Sequence, residues 1–413
     1  MSLRRTLIAI ITVLSLFVVI GGVVLAILVQ RARADAPAGL ILVAPQSLAL
    51  IDGYGMEQSL ANDADTAQYR FPAVAPDGQT LAYVATAANT ATIERLTLVD
   101  RVRQTIFRSD SSQPFNLAFS PDGRYLTFLV ADTGGLGLFV LPADGSAPAS
   151  LVTPGQPAYY AWRADGSALL IHIGGHAAQG GQLVVYTPGQ QGVAALRSDP
   201  GLFQAPAYSR SGEQIFYIMQ PAGPQLASYR DTTAQLVRIP AVGGTPTALL
   251  SETAAELRLA RDPVSDHLAV LTAAIDGQDT IRWGGLRVVD GAAGGAPRTL
   301  SRPGEQVAAC FWSPDGRYIA YLTHDERYAG DTPRTLRIVD VASGMITDYP
   351  EFAPSEAQLQ LEVFFDAYHF SLTPWSPDGR RFAYGSADGI YVVDLGGGVR
   401  RAGAGTLGVW GAR

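Results

Sequence analysis

The 413-residue chain holds 30 basic and 37 acidic residues, a formal charge of −7, and is 47% hydrophobic and only 16% charged. Every basic residue is Arg, which excludes a phosphate-cradling Gly-Lys-Ser/Thr loop, a Schiff-base lysine and a Ser-x-x-Lys nucleophile. Cys310 is the only cysteine, which excludes an intramolecular disulfide, a Cys-based zinc site and a lipoprotein anchor cysteine; its place before Phe311-Trp312 in an apolar run reads as core.

Residues 1–5 read as a short tail. Thr6 to Val29 contains no charged residue and, at about 1.5 Å per residue, is long enough to cross roughly 30 Å of hydrocarbon. It reads as an uncleaved signal anchor at 6–29; a cleavable signal peptide is the alternative, because Ala32-Arg33-Ala34 mimics a cleavage site. Arg4, Arg5 and the terminal amine face Arg31 and Arg33 across the span, a balance that favours the N-terminus inside. Residues 30–38 form a linker and 39–413 one domain, expected outside the cytoplasm. With four Arg at positions 4 to 33, residues 35–413 keep 26 Arg against 37 acidic residues, a balance that opposes nucleic acid and anionic lipid.

In that domain 44 Gly and 26 Pro punctuate short apolar runs, a composition suited to many strands and tight turns. Four clear copies of one cassette recur: Ala75-Pro76-Asp77-Gly78, Ser120-Pro121-Asp122-Gly123, Ser313-Pro314-Asp315-Gly316 and Ser376-Pro377-Asp378-Gly379, each followed by an apolar strand. Weaker copies sit at Arg163-Ala164-Asp165-Gly166, Arg210-Ser211-Gly212 and Asp262-Pro263-Val264-Ser265. Pro presets φ and Asp-Gly completes a tight turn, so these Asp residues read as turn-formers.

Behind each turn come further strands, among them Leu96–Asp100, Leu183–Tyr186, Leu236–Ile239, Leu286–Asp290, Leu336–Asp340 and Ile390–Asp394. Four strands (A to D) per unit make a propeller blade, and seven complete units result. Leu40–Val43, Leu48–Asp52 and Met56–Leu60 read as strands B, C and D without an A strand, and Thr406–Trp410 as an A strand without the rest. Joined, they predict an eighth blade that leaves no open sheet edge, with seven blades as the alternative. The fold class is therefore all-β, a propeller behind one N-terminal transmembrane helix.

The repeated Ser-Pro-Asp-Gly-Arg turns, Ile-Ala-Tyr-like strands and Val-Val-Asp-like strands resemble the TolB-type propeller repeats, relatives of WD-repeat blades, over about residues 39–413. That resemblance implies a protein-binding module of the bacterial cell envelope; similar blades cap the active site of prolyl-oligopeptidase-type hydrolases. The chain departs from both patterns. It has the membrane span and eight blades where the TolB type has six and a separate N-terminal domain, and it lacks a hydrolase domain and a Gly-x-Ser-x-Gly elbow.

In a propeller the A–B and C–D turns share one face, and the B–C and D–A connections share the other. Here the first set is uniformly tight. Every sizeable insertion falls on the second face: the B–C loops Gln220–Thr233, Ala273–Gly284 and His324–Thr335, and the D–A connection Pro350–His369. Loops held on a rigid scaffold carry function, and Arg and aromatic groups dominate protein interfaces. The candidate partner-binding residues are Tyr229, Arg230, Arg282, Trp283, His324, Arg327, Tyr328, Phe364, Phe365, Tyr368 and His369, accompanied by Asp231, Asp325, Asp331 and Asp366.

No nucleophile–base pair and no metal-ligand spacing stands out, so no catalytic residue, cofactor or metal ligand is assigned. His172 and His176 read as surface or turn residues. The expected function is a non-enzymatic, membrane-anchored scaffold that binds a protein or glycan in the cell envelope and not nucleic acid. The alternatives are a propeller enzyme of hydrolase or lactonase type at the channel mouth, and an accessory or sensor subunit.

Overall fold

The structure is a computed structural model and describes residues 39–411, apart from 54, 63–66, 133–134, 155–157, 176–180, 198–199, 202–203, 222–231, 278–279, 325–331 and 369–372. Eight antiparallel sheets follow one another around an axis. Their innermost strands are Gln68–Val74, Pro114–Phe119, Ala158–Trp162, Ala207–Tyr208, Glu256–Arg261, Gln306–Trp312, a single bridge at Trp375 and, for the eighth blade, Leu407–Trp410. That last strand pairs with Leu40–Ala44, from Leu40↔Trp410 to Val43↔Leu407, and Ser47–Ile51 and Glu57–Ala61 complete the sheet. The orphan strands at the two ends of the sequence thus form one blade, and the seven-blade alternative falls.

Depth in the blade explains the composition of each strand. Strands near the axis are covered on both faces and read as continuous apolar runs, as in Thr80–Ala87 and Tyr318–His324. Outermost strands face water and turn polar, as in Arg103–Ser109.

The turn cassette builds a repeated lattice of bonds. Asp122 Oδ1 accepts from Ser120 Oγ at 2.6 Å and Arg124 N at 3.1 Å, while Ser120 Oγ accepts from Tyr125 N at 3.0 Å. Asp315 repeats the pattern with Ser313 Oγ and Arg317 N. Glycine is required twice over at the third turn: Gly166 sits at φ +69°, and an added Cβ would lie 2.2 Å from the Asp122 carboxyl of the preceding blade. Each turn therefore also spaces its neighbour.

Aromatic residues at the ends of the innermost strands tie blade to blade. Trp312 Nε1 donates to Ala260 O at 3.0 Å, and Trp375 Nε1 donates to Phe311 O at 2.9 Å. Trp410 lies under Arg381, 4.3 Å from its guanidinium carbon.

The structure corrects several expectations. The Pro350–His369 connection is not an open loop but contains two short helices, α1 (Glu356–Val363) and α2 (Phe365–Tyr368), inserted in the otherwise all-β propeller. Ala273–Gly284 is not a loop either: the strand His267–Ile275 continues into it and turns back through Ile281–Trp283 as a hairpin. The strand expected at Leu96–Asp100 runs over Thr90–Thr97, because Asp100 and its neighbours form the next turn.

His172 is fully buried inside Leu169–Gly174 and not at the surface; its Nδ1 lies 2.8 Å from Gln204 O, and burial lowers its pKa to about 4. Leu183 pairs with it across the ladder, and Gly181, the partner of Gly174, leaves room for the imidazole: a Cβ there would lie 2.3 Å from His172 Nε2. His176 lies outside the described residues, as does the expected span at 6–29. Among the described residues no helix is long and apolar enough to cross a membrane.

Replacing Gly166 with Ala forces an L-residue into the left-handed region, at about 1–2 kcal/mol, and drives its Cβ into the Asp122 carboxyl. Urea unfolding of Gly166→Ala is expected to show at least that loss; an unchanged midpoint would contradict the turn-to-turn packing.

Candidate functional site

The helical insertion fills the propeller axis. Ser355 caps α1 by accepting from Gln358 N at 3.1 Å, with Glu356 in the first turn to complement the helix dipole. Ser355 Oγ also donates to Thr406 O, and the buried Gln358 Oε1 accepts from Gly385 N at 3.0 Å, so the helix start is bonded to blades 7 and 8. A side chain at position 385 would strike Thr406 O.

Further along, Glu362 meets Arg334 of blade 6 at 2.8 Å, both side chains fully buried. Burial pushes the Glu362 carboxyl up, and the Arg334 charge pulls it partly back. At the helix end, Arg258 of blade 5 donates to Val363 O at 2.8 Å, pairs with Glu256 at 2.6 Å and stacks on Trp283 at 5.0 Å.

The short α2 continues inward. Phe365 packs edge-on to Phe311, and Phe364 meets Tyr159 of blade 3 at 6.4 Å. Asp366 is buried at this depth, where desolvation raises its pKa to about 6 against the pull of Arg258, with Glu256 adding to the rise. The same burial pushes up the Tyr159 hydroxyl and the Cys310 thiol, which leaves Cys310 unsuited to nucleophilic attack.

Two cavities flank this plug. The upper one, about 120 Å³, lies at the channel mouth between α1 and the innermost strands of blades 8, 1 and 2. Tyr69, Phe71, Pro72, Leu117, Leu361 and Phe364 supply apolar wall, while Arg70, Glu356 and Gln360 supply polar groups. Its floor is irregular backbone: register breaks fall between Arg70 and Ala73 and between Phe115 and Ala118. Phe71 and Asn116 hold left-handed φ of 50° and 51° there, a conformation that costs a non-glycine residue about 1–2 kcal/mol. Tyr160 Oη donates to Asn116 O at 3.0 Å and fixes the second bulge. Such bulges recur beside functional sites, where they re-aim side chains.

The lower cavity, about 220 Å³, opens among Phe119, Pro121, Tyr160, Trp162, Arg261 and Ala367, toward the tight turns. Among the described residues no group of three or more His, Cys, Asp or Glu is placed to hold a metal ion.

The residues expected at the binding face scatter. Phe364 lines the upper pocket, but Phe365 is core, and His324 is buried at the end of its strand. Arg282 pairs with Asp276 at 2.7 Å on the blade 5 hairpin, next to Trp283. Tyr229, Arg230, Asp231, Asp325, Arg327, Tyr328, Asp331 and His369 lie outside the described residues, as does the Tyr368 side chain. Arg70, Phe71, Asn116, Glu356, Gln360 and Leu361 were not among the expected residues. Pro354-Ser355-Glu356-Ala357-Gln358 does carry a helix-start signature, Ser-x-x-Gln, that marks this insertion.

No family model matches the chain, and no curated protein matches it. Solved structures do. One described as the eukaryotic initiation factor is 15% identical with TM-score 0.54, covering 91% of this chain and 98% of that one. The propeller domain of the trilobed protease from Pyrococcus furiosus is 14% identical with TM-score 0.53, covering 82% and 96%. That domain is described as having an open velcro topology, whereas here the last strand closes the ring. TolB proteins are among the structural neighbours: that of Acinetobacter baumannii is 16% identical with TM-score 0.41, covering 76% of this chain, which spans 63% of its length. The chain is an eight-bladed propeller. Likeness at these identities establishes the fold and no activity.

Asp366 makes the plug sensitive to pH. Its pKa in the fold lies above the ordinary 3.8, so between that value and about 6 the fold binds a proton that the unfolded chain releases, and its contribution to stability falls as pH rises. His172 titrates with the opposite sign, losing stability as pH falls from 6.5 toward 4. Asp366→Asn removes the first effect and leaves the second. Acidification from pH 7 to 4 is then expected to destabilise the variant more than the parent, by up to about 3 kcal/mol in urea titrations; identical pH profiles would contradict the assignment.

Proposed function

We propose that the chain is a non-enzymatic scaffold, anchored in a membrane by residues 6–29, that binds an extracytoplasmic protein through its long-loop face. The pocket at the channel mouth carries this reading. Its walls are mostly apolar, its backbone is held in a strained form by bulges, and the channel beneath it is already filled by the chain's own helices. An apolar side chain of the partner enters the pocket, while Arg70 and Glu356 pair with charges around it. A protein suits this lining better than a glycan, whose hydroxyls need more donors and acceptors than these walls present.

The enzyme reading has less support. Glu256 and Asp366 flank Arg258 and line neither cavity, which leaves Glu356, among the described residues, as the one carboxyl in the lining of the upper pocket, with no second carboxyl or histidine beside it there. The 13% likeness to a prolyl endopeptidase spans only 51% of that chain.

The tether orients the molecule. Leu40 lies opposite Trp410 at the A–B end of blade 8, and Gly411 donates to Gly39 O there, so the chain enters from the tight-turn face. With the anchor in a bilayer, the pocket faces away from it.

Gln360 is exposed at the pocket edge, so Gln360→Trp is expected to block the pocket without unfolding the domain. Affinity capture from envelope extract with residues 35–413 is expected to lose its partner with Gln360→Trp and keep it with Arg108→Ala on an outer strand. A partner that survives both, or is lost with both, would overturn the site.

A further inference from the structure

The tight-turn face carries a feature that turn-building does not require. Met56, Val99, Val102, Val193, Val242 and Met345 are all exposed, Val242 at 95%, and all lie in turns between the third and fourth strands. They belong to blades 8, 1, 3, 4 and 6, so they stand around one face of the ring at equivalent positions. Exposed apolar residues scattered singly are ordinary; a set that repeats on one face is not. Nothing in the turns uses these side chains: the bonds are made by Asp, Ser and Gly, as where Asp340 Oδ1 accepts from Ser343 N and Gly344 N donates to Asp340 O.

Part of the charge on this face is engaged locally. Arg124 pairs with Asp122 at 2.5 Å and Arg317 with Asp340 at 3.1 Å, and the turn carboxylates accept backbone N–H groups. That leaves apolar tips among carboxylates held mostly by backbone N–H groups, chemistry that a zwitterionic headgroup layer tolerates and a strongly anionic one repels. The chain also enters the fold on this side, at Gly39, and the linker 30–38 reaches at most about 30 Å.

We infer that the tight-turn face rests on the lipid surface, with Met56, Val99, Val102, Val193, Val242 and Met345 set into the headgroup layer of the bilayer. The inference depends on the anchor reading above. It makes the propeller a platform of fixed height and tilt, its pocket presented outward, where an anchor alone would leave it swinging on its linker.

Cys310 is fully buried, so a cysteine introduced on the surface labels selectively. The full chain, reconstituted in phosphatidylcholine vesicles with and without doxyl-labelled phosphatidylcholine, is labelled with an environment-sensitive dye at Val242→Cys, Met345→Cys or, on the opposite face, Gln360→Cys. Vesicle flotation is read on the same samples. The dyes at 242 and 345 are expected to be quenched by about half by the doxyl lipid and the dye at 360 to be unaffected. Flotation without quenching at 242 and 345 overturns the resting face and keeps the anchor. Failure to float overturns the anchor and the inference with it. Dye self-quenching at 242 that rises with protein-to-lipid ratio and ignores the doxyl lipid assigns the face to a second copy and overturns the lipid contact.

Discussion

A ring of eight blades leaves a hole along its axis, because the innermost strands lie side by side and cannot meet at the centre. Here the chain fills that hole with its own α1 and α2, and the buried Arg334–Glu362 pair fixes how they enter. Two charges withdrawn from water do not stabilise much in net terms. Leaving either without the other is costly, about 3–5 kcal/mol, so the pair acts chiefly as a register device. Gln358 on Gly385, Ser355 on Thr406 and Arg258 on Val363 O add bonds from the helix to blades 7, 8 and 5. The plug thus bonds to blades that the strand ladders alone would connect only in sequence around the ring.

That arrangement divides the molecule into two working faces. On one, Asp-Gly turns repeat at nearly fixed length and interlock, as Asp122 does with Gly166 and Asp262 with Gly316. On the other, insertions break the repeat, and the largest turns inward instead of outward. The pocket exists because α1 leans toward blades 6 and 7 and leaves the bulged strands of blades 1 and 2 uncovered. The strain stored at Phe71 and Asn116 persists because the surrounding blades over-determine it.

Most of the ring is legible in the sequence, and the reason is local. Pro-Asp-Gly sets a turn within four residues, and an innermost strand must be apolar on both faces wherever it lies in the ring. The orphan strands 40–60 and 406–410 were readable because a sheet with an open edge is physically unfavourable. The plug was not readable by the same means. α1 presents no apolar stripe: its buried residues are Gln358, Leu361 and Glu362, and two of these are polar. Their burial depends on Gly385 and Arg334, distant in sequence. Phe365 and Asp366 likewise have the composition of an interface loop, and only the axial hole makes them core.

If the plug is the element that turns an open channel into a closed scaffold with a pocket at its mouth, its backbone amides must be as inaccessible as the blades around it. Amide hydrogen exchange of the intact chain tests this directly. The account predicts that Leu359 to Val363 exchange as slowly as Gln306–Trp312 of the adjoining innermost strand. Exchange of those helix amides at the rate of an open peptide, with the strands still protected, would contradict it.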